Sequence, residues 1–424
     1  MIAAIAPGWG ELWRTFGRIG LLSFGGPAGQ IALMHRILVD EKRWLAEEDY
    51  LRALSFCMLL PGPEAMQLAT YCGWRLRGLR GGLVAGLLFV LPGAAVIFLL
   101  AFLYALWAAV GPVAALFWGV KASVAAIVLE ALMRVAKRAL KGRTERAISV
   151  LAFVAVFAFA LPFPLVLVAG GLFGTFALSA TEAQAKAAGP ITLAGVWRTL
   201  LPGALLWGGA LAFLWAAGER FLFDIGLFFS KLALVTFGGA YAVLTYMAQA
   251  VVADKGWLTT AQMMDALGLA ETTPGPLILV TQFVAVLAGY QEGGASLAVL
   301  AGLLCLWVTF LPCFLWIFAF APQIEAITAR PRLKGALAGI SAAVVGTIAS
   351  LTLWFALHVV FTEVGTWQAG PVSLPAPRPE SFEIAAFALA LASGWLLIRR
   401  HWPLPLVLLL SAVIGLLRHG FAAV

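Results

Sequence analysis

Charge is scarce in this chain. Of its 424 residues only 11% are Asp, Glu, Lys or Arg, against 62% hydrophobic, far from the balance of a soluble globular protein. Histidine and cysteine are rarer still, at four each. Cys57, Cys72, Cys305 and Cys313 stand apart in apolar segments, with no Cys-x-x-Cys and no companion histidine, so neither a metal site nor redox chemistry is indicated. His35, His358, His401 and His419 fall near the ends of apolar runs and read as interfacial. No nucleophile and base or metal set is arranged as a membrane-embedded enzyme would need. No Gly-x-x-x-x-Gly-Lys-Ser/Thr is present, so the chain itself does not burn ATP. No cofactor is expected. Met1 to Trp13 lacks a basic start and a cleavage-like apolar run, so no removable signal peptide is expected. The net charge of +8 would suit nucleic acid on a soluble protein, but in so apolar a chain it reports basic cytoplasmic loops, and no nucleic-acid partner is expected.

Long apolar runs are abundant instead. Stretches of roughly 18 to 25 residues recur along the chain, the length that crosses a bilayer as a helix. The expected fold is an all-α polytopic membrane protein with about 13 transmembrane helices. They fall near 9–36, 52–74, 81–107, 111–133, 146–161, 164–180, 199–217, 226–250, 264–290, 295–320, 335–361, 383–398 and 402–418. The charged segment His35 to Arg52 reads as lying at the surface or on the headgroups. Thr181 to Thr192 is the polar linker between copies, and the proline-rich Pro371 to Pro379 reads as an exposed loop.

The chain is duplicated. Phe24-Gly25-Gly26, Lys42, Trp44-Leu45, Ala53-Leu54 and Pro61-Gly62-Pro63 recur as Phe237-Gly238-Gly239, Lys255, Trp257-Leu258, Ala266-Leu267 and Pro274-Gly275-Pro276, always 213 positions later. Near Gln291 to Leu297 the register shifts, after which Pro92 aligns with Pro312 and Gly119 with Gly339. The expected division is a first repeat over 1–190, a connecting helix over 191–220 and a second repeat over 221–424. Seven segments before the second copy, an odd number, place the two copies in inverted topology. With the N-terminus cytoplasmic and the C-terminus periplasmic, seventeen basic residues fall in cytoplasmic loops against seven outside, among them Arg36, Lys42, Arg43 and Arg52. A broken segment that re-enters instead of crossing would upset this count.

Glycine and proline inside apolar runs mark where those helices break. A restarting helix presents unpaired N–H groups and a positive dipole end, which suit a bound anion, and glycine lets a ligand approach the backbone. One break alone reads as a packing kink. Four at symmetric positions match the discontinuous helices that line transport sites near the midplane. The candidate substrate-binding residues are therefore Gly25, Gly26, Pro61, Gly62 and Pro63 with their counterparts Gly238, Gly239, Pro274, Gly275 and Pro276, flanked by the equivalent hydroxyls of Ser23 and Thr236. Arg18 and Lys231 are also equivalent, one cation per copy inside an apolar segment; they read either as a paired site for an anion or as side chains that snorkel to the interface. Glu64 and Glu271 flank the breaks without twins and read as coupling or relay carboxylates, or as partners of the two cations, with a turn-capping role the plainer reading of Glu271. Gln67, Tyr71, Thr272, Thr273 and Gln282 are candidate lining residues, and Lys121, which aligns with Ser341, is a lone cation in an apolar run.

Together Phe24-Gly25-Gly26-Pro27, Trp44-Leu45, Leu60-Pro61-Gly62-Pro63-Glu64, Gln67-Leu68-Ala69-Thr70-Tyr71, Thr236-Phe237-Gly238-Gly239-Ala240-Tyr241 and Glu271-Thr272-Thr273-Pro274-Gly275-Pro276 resemble the chromate transporter family in its long, two-domain form. The resemblance implies export of chromate, a tetrahedral dianion that mimics sulfate, across the inner membrane by a secondary carrier, with chromate resistance as the outcome and proton coupling or sulfate exchange as the drive. The alternative is a carrier or channel for another small inorganic anion such as sulfate. Expected partners are chromate or sulfate, the lipid bilayer and, as an oligomeric option, a second copy in a homodimer.

Overall fold

A computed structural model describes residues 7–24, 26–108, 110–178, 193–237, 240–328 and 330–422; Gly25, Gly238, Gly239 and the linker 181–192 lie outside them. The elements are α1 (Trp9–Leu22), α2 (Gly26–His35), α3 (Glu47–Cys57), α4 (Glu64–Trp107), α5 (Gly111–Ala139), α6 (Arg143–Phe157), α7 (Phe163–Ala177), α8 (Leu193–Ala216), α9 (Arg220–Val235), α10 (Ala240–Gln249), α11 (Thr260–Thr272), α12 (Val280–Phe320), α13 (Ile324–Thr328), α14 (Pro331–Val360), strands β1 (Val364–Ala369) and β2 (Val372–Pro377), α15 (Ile384–Gly394) and α16 (Leu404–Ala422). Among the described residues five helical stretches are long and apolar enough to cross a bilayer: Glu64–Trp107, Gly111–Ala139, Gly195–Ala216, Leu277–Gln323 and Pro331–Val360. Shorter apolar helices at Phe163–Ala177, Ile384–Arg399 and Leu404–Gly420 accompany them. The chain is an all-α polytopic membrane protein, with one small β-hairpin among the described residues.

It divides into two compact units, each drawn from both sequence copies: Met1–Phe102, Thr181–Ala240 and Thr273–Leu333 in the first, Leu103–Ala180, Tyr241–Thr272 and Lys334–Val424 in the second.

In the first unit the chain begins with two hairpins of half-length helices. Helix α1 has 14 residues, about 21 Å at 1.5 Å per residue, short of a hydrocarbon core of about 30 Å. It stops at Ser23, whose hydroxyl turns back onto the Ile19 carbonyl (2.6 Å), and Gly26, at φ 73°, starts α2 in a new direction. The two helices run antiparallel, because Lys42 Nζ meets Glu11 Oε1 at 2.8 Å and Arg18 meets Glu41 at 3.5 Å. A second hairpin follows through α3, the Pro61-Gly62-Pro63 turn and the first arm of α4, which ends where Arg77 and Gly78 leave helical geometry. There Arg77 Nε donates to the Pro7 carbonyl (2.7 Å) and its guanidinium covers the Trp9 ring. The segments 9–41 and 47–77 therefore start and finish at one end, with their tips at the other. Lys42 and Arg77 thus lie at the same end of the unit, whereas single passes over 9–36 and 52–74 would have put them at opposite ends. The physical reason is the acid and base content at both feet, which pairs foot to foot.

The longer arm of α4 then folds back on the shorter one. A Cβ on Gly73 would sit 2.3 Å from the Gly81 carbonyl oxygen, and one on Gly81 equally close to that of Gly73, so only glycine admits this approach. In α12 the same reversal occurs at Gly293-Gly294, whose dihedrals nearly match those of Arg77-Gly78. Phe16, Ile19, Phe56, Phe89, Phe229 and Phe283 are fully buried in this unit.

Local structure repeats with the sequence. The Lys42 N–H bonds to Ile37 O and the Trp44 N–H to Leu38 O (both 2.9 Å), closing a π-helical stretch, Arg36–Glu41; 213 positions on, Lys255 bonds to Ala250 O (2.8 Å) and Trp257 to Val251 O (3.0 Å) after Ala250–Asp254. Each lysine stacks over the following tryptophan.

The second unit is built on close helix pairs. A Cβ on Gly119 of α5 would lie 1.8 Å from Ser411 O, and one on Gly415 of α16 would lie 2.1 Å from Ala115 O. The buried hydroxyls of Ser123 on α5 and Ser411 on α16 bond across the same contact, and Ser393 on α15 bonds to Ser123. Gly170 and Gly174 of α7 fit against Gly339 of α14 in the same way. The stretch expected to be an exposed proline-rich loop is instead half of a β-hairpin. Gly370 at φ 57° makes its turn, and Pro375 and Pro377 pair with Thr366 and Val364. A two-stranded sheet has only edges, and edge positions tolerate proline.

Candidate functional site: helix breaks joined across the repeat

The break motifs come together in the first unit by reciprocal backbone hydrogen bonds. The Gly275 N–H donates to the Ser23 carbonyl (2.9 Å), and the Gly62 N–H donates to the Thr236 carbonyl (2.7 Å). Ser23 is the repeat equivalent of Thr236, and Gly62 of Gly275. Each Pro-Gly-Pro turn thus satisfies a carbonyl at the end of the helix leading into the other copy's Phe-Gly-Gly. Both glycines need their freedom, Gly62 at φ 128° and Gly275 at φ 89°. The proline on either side fixes φ and donates no hydrogen bond, which stops the helix on each flank.

Three helix starts line one small cavity: Pro27 and Gln30 from α2, Pro63, Glu64 and Ala65 from α4, and Pro276 and Leu277 from the turn that opens α12. Its volume is about 10 Å³, about the space of a single water molecule. Gln30 fastens this junction. Its Nε2 donates to the Gly275 carbonyl (2.6 Å) and to the Ser23 carbonyl (3.3 Å), while its buried Oε1 has no partner among the described residues. On the opposite turn Gln67 Nε2 donates to the Pro61 carbonyl (2.7 Å) and its Oε1 is likewise unpartnered. Gln282, 1% exposed, has neither end of its amide bonded among the described residues.

The other anticipated residues are placed as follows. Ser23 and Thr236 are buried, and each hydroxyl bonds to the carbonyl four residues back, on Ile19 and Leu232; their contribution at the junction is the backbone carbonyl. Pro61, Pro63, Pro274 and Pro276 frame the two turns. Glu64 is half-buried at the cavity wall. Tyr71 is buried between Phe56 and Trp74, Thr273 is buried, and the Thr272 hydroxyl bonds to Leu269 O. Glu271 belongs to the second unit, where it lines a small cavity with Val124, Ile127, Leu267 and Gly268. Arg18 and Lys231 are exposed and do not line the junction cavity; Arg18 faces Glu41.

Two residues escaped the reading of the sequence. Gln30 carried a signal, as a lone amide one turn after a break in an otherwise apolar helix. Asp265 carried less, since its repeat equivalent is Arg52 and no symmetry draws attention to it.

Half-length helices that meet tip to tip inside a polytopic membrane protein define a transport protein, in which irregular backbone at membrane depth is kept where it serves a solute. The chromate transporter family model matches twice, over residues 10–175 and 223–416, and the chain belongs to that family. A chromate transport protein of Pseudomonas aeruginosa is 35% identical over 347 residues, 81% of this chain and 80% of that protein. One from Cupriavidus metallidurans is 30% identical over 80% of each chain. A probable chromate transport protein of Synechococcus elongatus is 28% identical over 96% of this chain and 95% of its own length. No solved structure matches. Family membership makes the chain a transport protein and not an enzyme.

Proposed function

We propose that this protein exports chromate across the inner membrane as a secondary carrier and thereby confers chromate resistance. The observation that carries the reading is the convergence of three helix N-termini on the cavity at Pro27, Glu64 and Pro276, in a chain of the chromate transporter family. Helix N-termini present N–H groups and positive dipole ends to a tetrahedral oxyanion, and glycine at 25, 26, 62, 238, 239 and 275 lets it reach the backbone. A cavity of about 10 Å³ admits no such ion, so binding requires the junction to open. Opening costs the reciprocal Ser23–Gly275 and Thr236–Gly62 bonds, and the anion repays them by accepting from the freed N–H groups. Glu64 at the wall supplies the coupling to protons; exchange for sulfate is the other drive, and Glu271 serves as a relay.

The two copies are inverted. Inversion lets an exchange of conformations between copies turn an inward-open carrier outward.

The test is chromate uptake into everted membrane vesicles, in which export appears as accumulation. Vesicles carrying the protein accumulate chromate under an imposed pH or opposing sulfate gradient and control vesicles do not. Uptake of sulfate in preference to chromate would make sulfate the physiological anion, and equal flux without either gradient would make the protein a channel.

Arg18 and Lys231 are the counter-charges of the dianion on its way to the junction. Arg18 is held by Glu41 in this conformation, so the anion and Glu41 compete for it. Arg18→Ala and Lys231→Ala each weaken chromate binding by about tenfold, on the scale of one screened charge contact, whereas Glu41→Gln leaves binding unchanged or tighter. Isothermal titration with the purified variants reads this directly, and parental affinity in both alanine variants would remove the two cations from the site.

A further inference from the structure

The second unit holds a buried charged cluster that the junction does not use. Asp265 on α11 is 2% exposed. Its Oδ2 accepts a hydrogen bond from the Tyr104 hydroxyl (2.7 Å), near the end of α4, and stands 3.4 Å from Lys121 Nζ on α5. The other carboxylate oxygen, Oδ1, is buried with no partner among the described residues. Tyr104 is fixed edge-on against Phe117. The Lys121 side chain keeps 28% of its surface exposed. Tyr104 and Lys121 come from the first sequence copy and Asp265 from the second.

A permanently ionised carboxylate at such depth is stabilised when both oxygens are satisfied, and a buried charge left half-paired costs several kcal/mol. Here both donors act on one oxygen. Two cations can neutralise this group, the ammonium already present or a proton, and each makes the other unnecessary. We propose that Asp265 is a proton-binding site at which a proton competes with the Lys121 ammonium for the carboxylate, so that protonation releases α5 from α11. The step balances simply: the carboxylate gains a proton, Lys121 stays an ammonium and gives up its contact with Oδ2, and Tyr104 stays bonded to the carboxyl. Lys137 and Arg138 lie in the last turn of α5, four turns from Lys121, and other charges on these helices have contacts of their own. On α16, Arg418 pairs with Glu383 and His419 lies against Gly111. On α5, Glu130 pairs with Arg134. Glu271, nearly two turns along α11, lines a separate cavity. The use of the proton in transport rests on the carrier reading above, whereas its binding does not.

Two measurements on the full chain in proteoliposomes test this. In pH-titrated infrared difference spectra, the carboxylic C=O band of a buried protonated carboxyl grows as pH falls. It is missing in Asp265→Asn, shifts in frequency in Tyr104→Phe, and forms at higher pH in Lys121→Met, where the proton has no competitor. A band identical in parent and Asp265→Asn, or a titration unmoved in Lys121→Met, overturns the proposal. Should Asp265→Asn fail to reach the membrane, Asp265→Glu replaces it, and a band unchanged in both frequency and titration overturns the proposal equally. The second measurement compares flux modes. A gradient of one pH unit drives up to about tenfold chromate accumulation per coupled proton, since 1.4 kcal/mol is tenfold. Asp265→Asn lowers this ratio by up to about tenfold, the share of one coupled proton, and leaves chromate counterflow and affinity intact. Parental accumulation in that variant overturns the coupling role. A parent that moves no chromate but titrates as described loses the carrier reading and keeps the proton site.

Discussion

Gly275→Ala abolishes chromate uptake, and so does Gly62→Ala. Both residues hold left-handed backbone, which costs an L side chain about 1–2 kcal/mol. Neither has room for a methyl group. A Cβ on Gly62 would lie 2.7 Å from both Cys313 Sγ and Gln67 Nε2, and one on Gly275 would lie 3.0 Å from Leu279 Cδ1 and 3.3 Å from Gly93 Cα. Overpacking adds about 1–3 kcal/mol, so each substitution costs more than the net value of about 1 kcal/mol for the one hydrogen bond its N–H makes. The turn shifts, the bond to Thr236 or Ser23 is lost, and the helix start beside it no longer points at the cavity. Gly218 supplies the control, since it holds φ 77° with nothing within 4 Å of its Cβ position. Gly218→Ala therefore shows the cost of the backbone conformation alone and retains uptake. Equal behaviour of all three variants in vesicles and in detergent melting curves would dismiss the junction as the working part.

Glu64→Gln removes the pH dependence of anion binding. At the first turn of α4 an ionised Glu64 interacts favourably with the N–H groups that the substrate needs, so carboxylate and anion compete for one place. Two like unit charges 4 Å apart repel by about 4 kcal/mol at an effective dielectric constant of about 20. The sign follows: a protonated Glu64 is neutral and favours the anion, so the parent binds more tightly at low pH than at high pH. Glutamine imitates the protonated form and holds the tight affinity at alkaline pH. Because chromate itself takes up a proton, sulfate is titrated beside it as a ligand of constant charge. The expected gain at high pH is about tenfold or more. A variant profile that follows the parent's would assign the effect to another group.

How far the sequence could be read differs from element to element. The junction was legible because glycine and proline at a constant offset of 213 mark breaks that a helix cannot hide, and the structure joins Gly62 to Thr236 and Gly275 to Ser23 across the repeat. The return of 9–41 to its starting end was not legible. Apolar periodicity gives the length of a run but not its direction after a break, and here direction is settled by Glu11 meeting Lys42. The strands at Val364–Ala369 and Val372–Pro377 were hidden by prolines that read as loop until the edge pairing is known. Asp265 was missed because its meaning lies in its partners. A carboxylate on an amphipathic stretch looks like surface until Lys121 and Tyr104, more than 140 positions away, are brought against it.

The reciprocal backbone bonds also set a timetable for synthesis. Ser23 emerges 252 residues before Gly275, and at about 5–20 residues per second that is a wait of roughly 10–50 s. During it, the Ser23 carbonyl has only Gln30 to accept from, and the Gly62 N–H lacks the Thr236 carbonyl it will meet. Lipid offers them nothing, so the first two hairpins must wait in water, at the headgroups or in the shelter of the insertion machinery until the second copy arrives. Assembly of the mature junction is therefore post-insertional, and slowing translation between the copies lengthens the period in which the half-built protein is exposed to proteolysis.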